Sequence, residues 1–277
     1  SLENNMDVAF QDIIMTVGAA GAINVILKTL LNQGDEVIVF SPYFMEYDNY
    51  IDNHGGVTVV IPTDDKFLPD LGLLEQGINA RTKAVIINSP NNPTGVVYNE
   101  DFVRQLGRVL ESKEKELNIA IYLVSDEAYS SLIYDGLSYV PILQTYHRSM
   151  IATSHSKDLA LPGERIGYIA VHPAIEHREE IISGLIFCNR ILGFVNAPAL
   201  MQRAVARLVG VSVDAGIYQK KRDILCEGLA RAGYEFARPK GTFYLLPKAP
   251  GGDEIAFVDA LAKELILTVP GRGFGIP

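Results

Sequence analysis

The sequence predicts an α/β protein with a mostly parallel, doubly wound sheet in a three-layer αβα arrangement, followed by a smaller α+β domain. Short apolar segments typical of buried strands alternate with amphipathic helical segments throughout residues 12–171. Near residue 211 this pattern changes to helices and short β-like pieces. We therefore expect a large domain over residues 1–210 and part of a small, incomplete C-terminal domain over residues 211–277.

The amino-acid composition argues against several kinds of partner and binding site. The 277 residues are 48% hydrophobic, enough for one large core or two unequal domains. The net charge of −9 argues against a broad nucleic-acid or anionic-membrane surface, and no apolar run is long enough to span a bilayer. The two cysteines lack zinc or disulfide spacing. We expect no nucleic-acid or membrane partner, no metal site and a cytoplasmic location.

The first strand, over residues 12–17, runs directly into an amphipathic helix. The turn between them, residues 18–21, consists of small residues, so the backbone N–H groups of Ala19 and Ala20 lie at a helix N-terminus. Such N–H groups suit a phosphate. The spacing matches neither a Walker loop nor GxGxxG, and plain packing is the more frequent explanation for a small-residue turn.

The second strand, over residues 36–42, is followed by a helix that Gly55 and Gly56 close. Three aromatic residues lie just past this strand, Tyr43, Phe44 and Tyr47. The carboxyl edge of an open α/β sheet is where ligands bind, so an aromatic ring there could stack on a flat cofactor. Ordinary core aromatics explain the same pattern equally well.

Two further strands are predicted over residues 57–62 and 83–89, with a short helix over residues 69–79 between them. The sequence PNNPTG, residues 90–95, follows directly. Clusters of Pro, Asn and Gly are mostly plain turns. Its position after a strand also makes Asn92 a candidate hydrogen-bonding residue.

A long amphipathic helix near residues 99–117 precedes the apolar strand that ends in SDEAY. Asp126 lies at the carboxyl end of this strand, and Tyr129 lies three residues further on. The six residues before SDEAY, IAIYLV, are strongly apolar. An acid that follows such a buried strand must be either solvated at the sheet edge or paired with a cation.

Two short buried strands, residues 150–153 and 165–171, are predicted to bracket a loop that carries Lys157, with Arg165 eight residues later. The same segment carries two hydroxyl side chains, Ser154 and Ser156. A loop lysine is usually solvated. The alternative is an amine that forms a Schiff base with a carbonyl cofactor, beside a guanidinium that binds an anion.

Five candidate residues follow strand ends, namely Ala19, Phe44, Asn92, Asp126 and Lys157. In a parallel sheet these ends meet at one edge, so we expect one site there.

The chain after residue 172 is predicted to be mostly helical, with helices near residues 173–187, 198–208, 216–232 and 254–264. Two β-like pieces, YEFARP and GTFYLLPK, precede the last helix.

The chain resembles class I/II aminotransferases of the pyridoxal-phosphate fold type I superfamily. The resemblance rests on four motifs in the family's order: VGAAGA, PNNPTG, SDEAY, and SHSK with an arginine eight residues after its lysine. The resemblance covers essentially the whole chain. It implies that the large domain binds pyridoxal 5'-phosphate and that Lys157 is the catalytic Schiff-base lysine. It also implies that Asp126 pairs with the pyridinium nitrogen, while Tyr129 and Asn92 bond the phenolic oxygen.

The resemblance further implies that Phe44 stacks on the cofactor ring. The phosphate would be held by backbone N–H groups of the first helix and by side chains after the sixth strand, in all Ala19, Ala20, Ser154, Ser156 and Arg165. His155 replaces what is often a bulky apolar residue in the family, and we expect it to be packed rather than catalytic. The arginine that binds the substrate carboxylate is expected beyond Pro277.

The reaction implied by the resemblance moves an amino group from an L-amino acid to a 2-oxo acid, in a homodimer. The aspartate/aromatic/alanine group of substrates is the closest match in motifs. Two alternatives remain: another fold type I enzyme (a C–S or β-lyase, a decarboxylase or a cyclising lyase), or a non-catalytic relative. The same lysine and aspartate would serve all of these enzymes.

Overall fold

The computed structural model describes residues 6–275. The outer ends of the two predicted domains, residues 1–5 and 276–277, lie outside the described residues. The described chain forms a seven-stranded sheet of order β1-β7-β6-β5-β4-β2-β3. The strands are β1 (Ile13–Thr16), β2 (Glu36–Ser41), β3 (Val57–Pro62), β4 (Thr82–Asn88), β5 (Tyr122–Asp126), β6 (Ser149–Ser154) and β7 (Gly167–Val171).

The prediction of a mostly parallel sheet is confirmed. Strands β2 to β6 pair in parallel, and β7 runs antiparallel to both of its neighbours, β1 and β6. Because β1 and β6 both oppose β7, they point the same way. Six strands therefore end at one edge of the sheet, and β7 begins there.

Helices cover both faces of this sheet. They are α1 (Gly18–Leu30), α2 (Glu46–Asp52), α3 (Leu71–Gly77), α4 (Glu100–Leu117), α5 (His155–Asp158), α6 (Arg178–Ile191), α7 (Ala199–Val205), α8 (Ala215–Arg231) and α9 (Glu254–Lys263). Alternate residues of β2 show the layering. Val37 and Val39 pack with α1, α2 and α6, whereas Ile38 and Phe40 pack with α3 and α4. This is the expected three-layer arrangement.

Local signals explain where several helices begin and end. Asn99 accepts a hydrogen bond from the backbone N–H of Phe102 at 2.8 Å and so caps α4. Asn118 ends α4 in the left-handed conformation, at φ 52°. Asp70 and Asp253 cap α3 and α9 in the same way as Asn99. Among residues 6–275, no helix is both long and apolar enough to cross a membrane.

Three details differ from the predictions. Lys157 lies in the one-turn helix α5 rather than in a loop, and the helix predicted over residues 173–187 is α6, which begins at Arg178. The pieces YEFARP and GTFYLLPK form isolated β-bridges rather than strands. One bridge joins Phe236 to Pro247, and the other joins Gly241 to Ile133. Thr242 has φ 60°, which interrupts the extended backbone that a strand needs.

Candidate active site

The strand register brings the predicted residues to one edge of the sheet. Ser154 pairs with Gly167 across β6 and β7, and Gly167 pairs with Thr16 at the end of β1. On the other side, Asp126 at the end of β5 pairs with both Asn88 and Ala152. The last residues of β1, β4, β5 and β6 thus lie along one edge, and the turns that follow them surround it.

Lys157 lies half-buried in α5, directly after β6. Its Nζ atom is 5.9 Å from the ring centroid of Tyr129 and 5.2 Å from that of Phe243. Burial lowers the pKa of Lys157, and the positive charge of Arg165 lowers it further. A lysine in these surroundings loses its proton more readily than a solvated one, which favours its use as a nucleophile or base.

Asp126 is a buried carboxylate with uncharged donors. Its Oδ2 accepts a hydrogen bond from the Tyr47 hydroxyl at 2.6 Å, and its Oδ1 accepts one from the Ala128 N–H at 3.3 Å. Burial raises the pKa of Asp126, although both hydrogen bonds oppose the shift. No ion pair joins it to a basic side chain of the described residues. A cationic ligand group would therefore be stabilised here.

The N-terminus of α1 forms a cradle suited to an anion. Val17 precedes the helix without a side-chain cap, and Ala19 and Ala20 lie half-buried in its first turn. Arg165 borders this turn, with Nη2 3.4 Å from the carbonyl oxygen of Val17. A Cβ atom at Gly18 would lie 3.0 Å from the same Nη2 atom. Gly18 has φ 83°, so glycine suits both the close approach and the backbone conformation.

Asn92 and Tyr129 lie on the loops after β4 and β5. The backbone N–H of Asn92 donates to Asn88 Oδ1 at 2.6 Å, whereas Asn92 Oδ1 is buried without a hydrogen-bond partner among the described residues. The hydroxyl of Tyr129 lies 2.8 Å from that of Tyr244. Burial raises the pKa of Tyr129.

The remaining predicted residues also lie at this edge. Phe44 follows β2, half-buried, with its ring edge-on to Tyr47 at a centroid distance of 5.7 Å. Ser154 is the buried last residue of β6, and Ser156 lies half-buried beside Lys157 in α5. His155, to which we assigned no catalytic role, has Nδ1 2.9 Å from Asp158 Oδ2.

Sequence reasoning missed three residues of the site. Tyr47 was noted only as an aromatic residue past β2, yet its hydroxyl bonds Asp126. Phe243 and Tyr244 come from GTFYLLPK, in the part of the chain we assigned to the small domain. We call residues 239–244 the clamped segment, because loops after β4 and β5 hold it on both sides. No local signal in the sequence indicates where this segment lies.

A mostly parallel sheet whose carboxyl edge gathers a lysine, a buried aspartate and an arginine beside a helix N-terminus defines a class: α/β proteins that hold a phosphorylated cofactor at strand ends. Comparison with known proteins specifies the family. Residues 3–277 match the family model described as aminotransferase class I and II. The probable aspartate/prephenate aminotransferase of Thermus aquaticus is 36% identical over 98% of this chain and 71% of its own length.

Solved structures agree. An amino transferase from Eubacterium rectale gives a TM-score of 0.95 at 38% identity and covers 100% of this chain and 70% of its own. The aspartate aminotransferase of Thermus thermophilus with maleate gives 0.82 at 31% identity, covering 99% and 72%. The chain belongs to the aminotransferase class I and II family. It is a pyridoxal-phosphate-dependent aminotransferase.

The residues at the sheet edge fit this cofactor. Asp126 offers a buried carboxylate, unpaired with any cation of the described residues, which suits a protonated ring nitrogen. Asn92 has a buried, unpartnered side-chain oxygen, which signals a polar group that the protein itself does not supply. The uncapped N-terminus of α1 and the guanidinium of Arg165 suit a phosphate.

Proposed function

We propose that the chain transfers the amino group of L-aspartate, or of a closely related L-amino acid, to a 2-oxo acid such as 2-oxoglutarate. The names of the relatives support this substrate class, because they include aspartate and aspartate/prephenate aminotransferases. The Thermus thermophilus structure holds maleate, a four-carbon dicarboxylate of the same length as aspartate.

One observation carries the assignment of roles. Asp126 is a buried carboxylate whose protein partners carry no charge, and it lies at the same sheet edge as a lysine whose pKa is lowered. Neither feature stabilises the cofactor-free fold, since a buried charge without an opposite charge is unfavourable. A cofactor with a cationic ring nitrogen and a reactive carbonyl accounts for both.

The phosphate of the cofactor would be held by the cradle at α1. Backbone N–H groups of Ala19 and Ala20 point out of the helix N-terminus, where the helix dipole favours an anion. The Arg165 guanidinium borders the same turn. Two hydroxyl groups after β6 complete the set, those of Ser154 and Ser156.

The residues after β2, β4 and β5 would hold the cofactor ring. Asp126 would keep the ring nitrogen protonated, and the side-chain N–H of Asn92 and the hydroxyl of Tyr129 would donate to its phenolic oxygen. Phe44, half-buried past β2, would pack against the ring. Tyr47 supports this arrangement indirectly, because its hydroxyl fixes Asp126 Oδ2.

When bound, pyridoxal phosphate supplies an electron sink that weakens the bonds at the substrate Cα. This chain supplies the amine and the proton carrier, which we assign to Lys157 Nζ. Lys157 Nζ would hold the cofactor through its carbonyl carbon and would accept the proton that leaves the substrate Cα. Its lowered pKa raises the fraction of unprotonated amine at neutral pH. The rings of Tyr129 and Phe243 lie beside Nζ and account for part of its burial.

We also propose that the protein is a homodimer. The apolar residues of α6 could have been core or interface on sequence alone. Their exposure supports an interface, since Ile186, Phe187 and Ile191 expose 56%, 61% and 51% of their surface. Phe187 and Ile191 share one face of α6, four residues apart. Sedimentation equilibrium of the intact protein should give twice the chain mass, and a monomer mass would contradict the proposal.

Two further assignments remain proposals. A domain boundary near residue 211 is supported by the cores: within residues 6–275, the four clusters of buried apolar residues draw only on residues before 206. Partial proteolysis should release a fragment covering most of residues 6–210. A cytoplasmic location is supported by the two cysteines, Cys188 and Cys226, which are buried free thiols. Fractionation of cells that express the protein tests it.

The lysine assignment is tested by absorption spectroscopy with borohydride. Pyridoxal phosphate added to the intact protein should give a long-wavelength band, and borohydride should fix the cofactor to the peptide containing Lys157. Lys157→Ala should lose both signals, and turnover should fall by about 10^4-fold. Lys221→Ala is the matched control, because this lysine lies on α8 over the Tyr218 ring. A band that persists in Lys157→Ala would overturn the assignment.

The substrate assignment is tested separately. Incubation with L-aspartate and 2-oxoglutarate should yield oxaloacetate and glutamate in equal amounts. Release of ammonia or carbon dioxide instead would identify a lyase or decarboxylase on the same scaffold. A cofactor band without any of these products would identify a non-catalytic relative.

A further inference from the structure

We infer that Tyr244 is a positioning residue, which aims the hydroxyl proton of Tyr129 at the phenolic oxygen of the bound cofactor. The inference rests on the proposed function, in which Tyr129 donates a hydrogen bond to that oxygen. Tyr244 itself acts only through Tyr129. It reaches the site from the C-terminal part of the chain, 115 residues away in sequence.

The two tyrosines form a close pair. Their hydroxyl oxygens are 2.8 Å apart, and their rings meet edge to face at a centroid distance of 5.7 Å. Tyr129 is only 6% exposed, and its raised pKa means that it keeps its proton at neutral pH. A hydroxyl has one proton and two acceptor positions. Either hydroxyl can be the donor at this distance; we assign the donor role to Tyr244, which leaves the proton of Tyr129 for another acceptor.

The clamped segment fixes where Tyr244 lies. The backbone N–H groups of Lys240 and Gly241 both donate to the carbonyl oxygen of Gly95, at 2.8 and 2.9 Å. On the opposite side, the N–H of Thr242 donates to the carbonyl oxygen of Leu132 at 2.9 Å. The segment therefore lies between the PNNPTG loop, which carries Asn92, and the loop that carries Tyr129.

Glycine is required where this contact is tightest. A Cβ atom at Gly241 would lie 2.6 Å from Pro90 Cβ and 2.7 Å from the carbonyl oxygen of Leu132. A Cβ atom at Gly95 would lie 2.5 Å from Pro239 Cβ. Real side chains do not reach such distances, so these backbones approach closely only because both residues are glycine.

Thr242 carries backbone strain next to Tyr244. It has φ 60°, which is a rare conformation for a β-branched residue, and it is 1% exposed. Its Oγ1 accepts a hydrogen bond from the Tyr244 N–H at 3.2 Å, and its carbonyl oxygen accepts one from the Tyr134 hydroxyl. Strain of this kind persists only where surrounding contacts impose it, and it clusters at functional sites.

The pair has a measurable consequence. A hydroxyl that accepts a hydrogen bond is a stronger donor, because the two bonds polarise each other. Donation from Tyr129 would stabilise negative charge on the phenolic oxygen of the cofactor. That oxygen would then attract less strongly the proton on the nitrogen that joins the cofactor to Lys157, and the pKa of this nitrogen would be lower. Weaker donation should therefore raise the pH midpoint at which the long-wavelength band changes.

The test is a spectrophotometric pH titration of the cofactor-loaded protein in five forms: parent, Tyr244→Phe, Tyr129→Phe, the double variant and Tyr218→Phe. Tyr244→Phe should raise the midpoint by about 0.5 pH unit, and Tyr129→Phe should raise it further. The double variant should match Tyr129→Phe, because Tyr244 acts through that hydroxyl. Tyr218→Phe, which removes a hydroxyl from a ring that packs on Phe243 at a centroid distance of 6.1 Å, should leave the midpoint unchanged.

The outcomes separate the two proposals. An unshifted midpoint in Tyr244→Phe, or shifts that add in the double variant, would overturn the positioning role while the lysine-dependent band remains. Absence of that band in the parent would overturn the proposed function as well. Thermal unfolding of each variant is measured in parallel. A loss of stability in Tyr244→Phe without a midpoint shift shows a purely structural residue and also overturns the inference.

Discussion

Two aspartates, one at the sheet edge and one at the contact with the C-terminal part of the chain, show opposite uses of the same side chain. Asp126 lies at the sheet edge with uncharged donors, and burial raises its pKa. Asp135 meets the C-terminal part of the chain, where Arg222 bonds it at 2.6 Å and Lys240 at 2.9 Å. The hydrogen bond from Arg222 lowers the pKa of Asp135, against the effect of burial, and Lys240 lowers it further. One carboxylate has uncharged donors in the described part of the chain, whereas the other is paired with two cations.

The same contrast extends to how each region is stabilised. The sheet and its flanking helices contain the four clusters of buried apolar residues. The part after residue 211 is attached through charged and backbone contacts, including Arg222 to Asp135 at 2.6 Å. A rigid apolar scaffold can hold an unfavourable buried charge at its edge. A region without such a core relies on ion pairs instead.

The largest difference between the two regions should appear in the stability lost when one apolar side chain in each region is truncated to alanine. Ile86, 2% exposed in β4, packs in the core between sheet and helices, whereas Phe257 in α9 is half-buried and contacts Tyr234. Ile86→Ala should lower the free energy of unfolding by about 3 kcal/mol, and Phe257→Ala by about 1 kcal/mol. Urea titration of both variants measures this. Equal losses would show that α9 belongs to the same core.

The second prediction concerns Asp126 in the cofactor-free protein. Its folded-state pKa is raised above 3.8, so the folded state binds protons more tightly than the unfolded state. Stability therefore falls as the pH rises from 3.8 through the folded pKa, and the loss persists above it. Asp126→Asn removes this loss and should raise the free energy of unfolding at pH 7 by about 2 kcal/mol.

Urea titrations at several pH values measure the effect. The advantage of Asp126→Asn should vanish below pH 3.8, where the aspartate is protonated in both states. With pyridoxal phosphate bound, the order should reverse, because the parent then pairs its carboxylate with the ring nitrogen. A variant that is less stable than the parent in both conditions would contradict a ligand-dependent charge at Asp126.

The sheet edge was predictable from sequence, and its supporting contacts were not. Apolar strands followed by polar residues predict a shared edge, because parallel strands end together. Asp126 and Lys157 could be placed in this way. The contact between Tyr244 and Tyr129 depends on how the clamped segment threads between two loops, and no periodic pattern encodes that path. Tyr47 sits in α2 beside other aromatic residues, so its bond to Asp126 had no distinguishing signal either.

The smallest expected effect is at Asp135, and its pH dependence has the opposite sign to that of Asp126. The lowered pKa of Asp135 stabilises the fold above 3.8, and this stabilisation is lost as the pH falls through the folded-state pKa. Asp135→Asn should lower the free energy of unfolding at pH 7 by about 1 kcal/mol, a modest value because the carboxylate is partly exposed.

The exposed pair of Glu235 and Lys248, joined at 3.2 Å, provides the matched control. Glu235→Gln should change stability by less than about 0.5 kcal/mol, since both of its charges are solvated. The deficit of Asp135→Asn should shrink in acid, where the parent also loses its carboxylate charge. If both variants behave alike at pH 7, the contact between Asp135 and Arg222 does not hold the C-terminal region in place. The positions of Phe243 and Tyr244 would then depend on the backbone hydrogen bonds of the clamped segment alone.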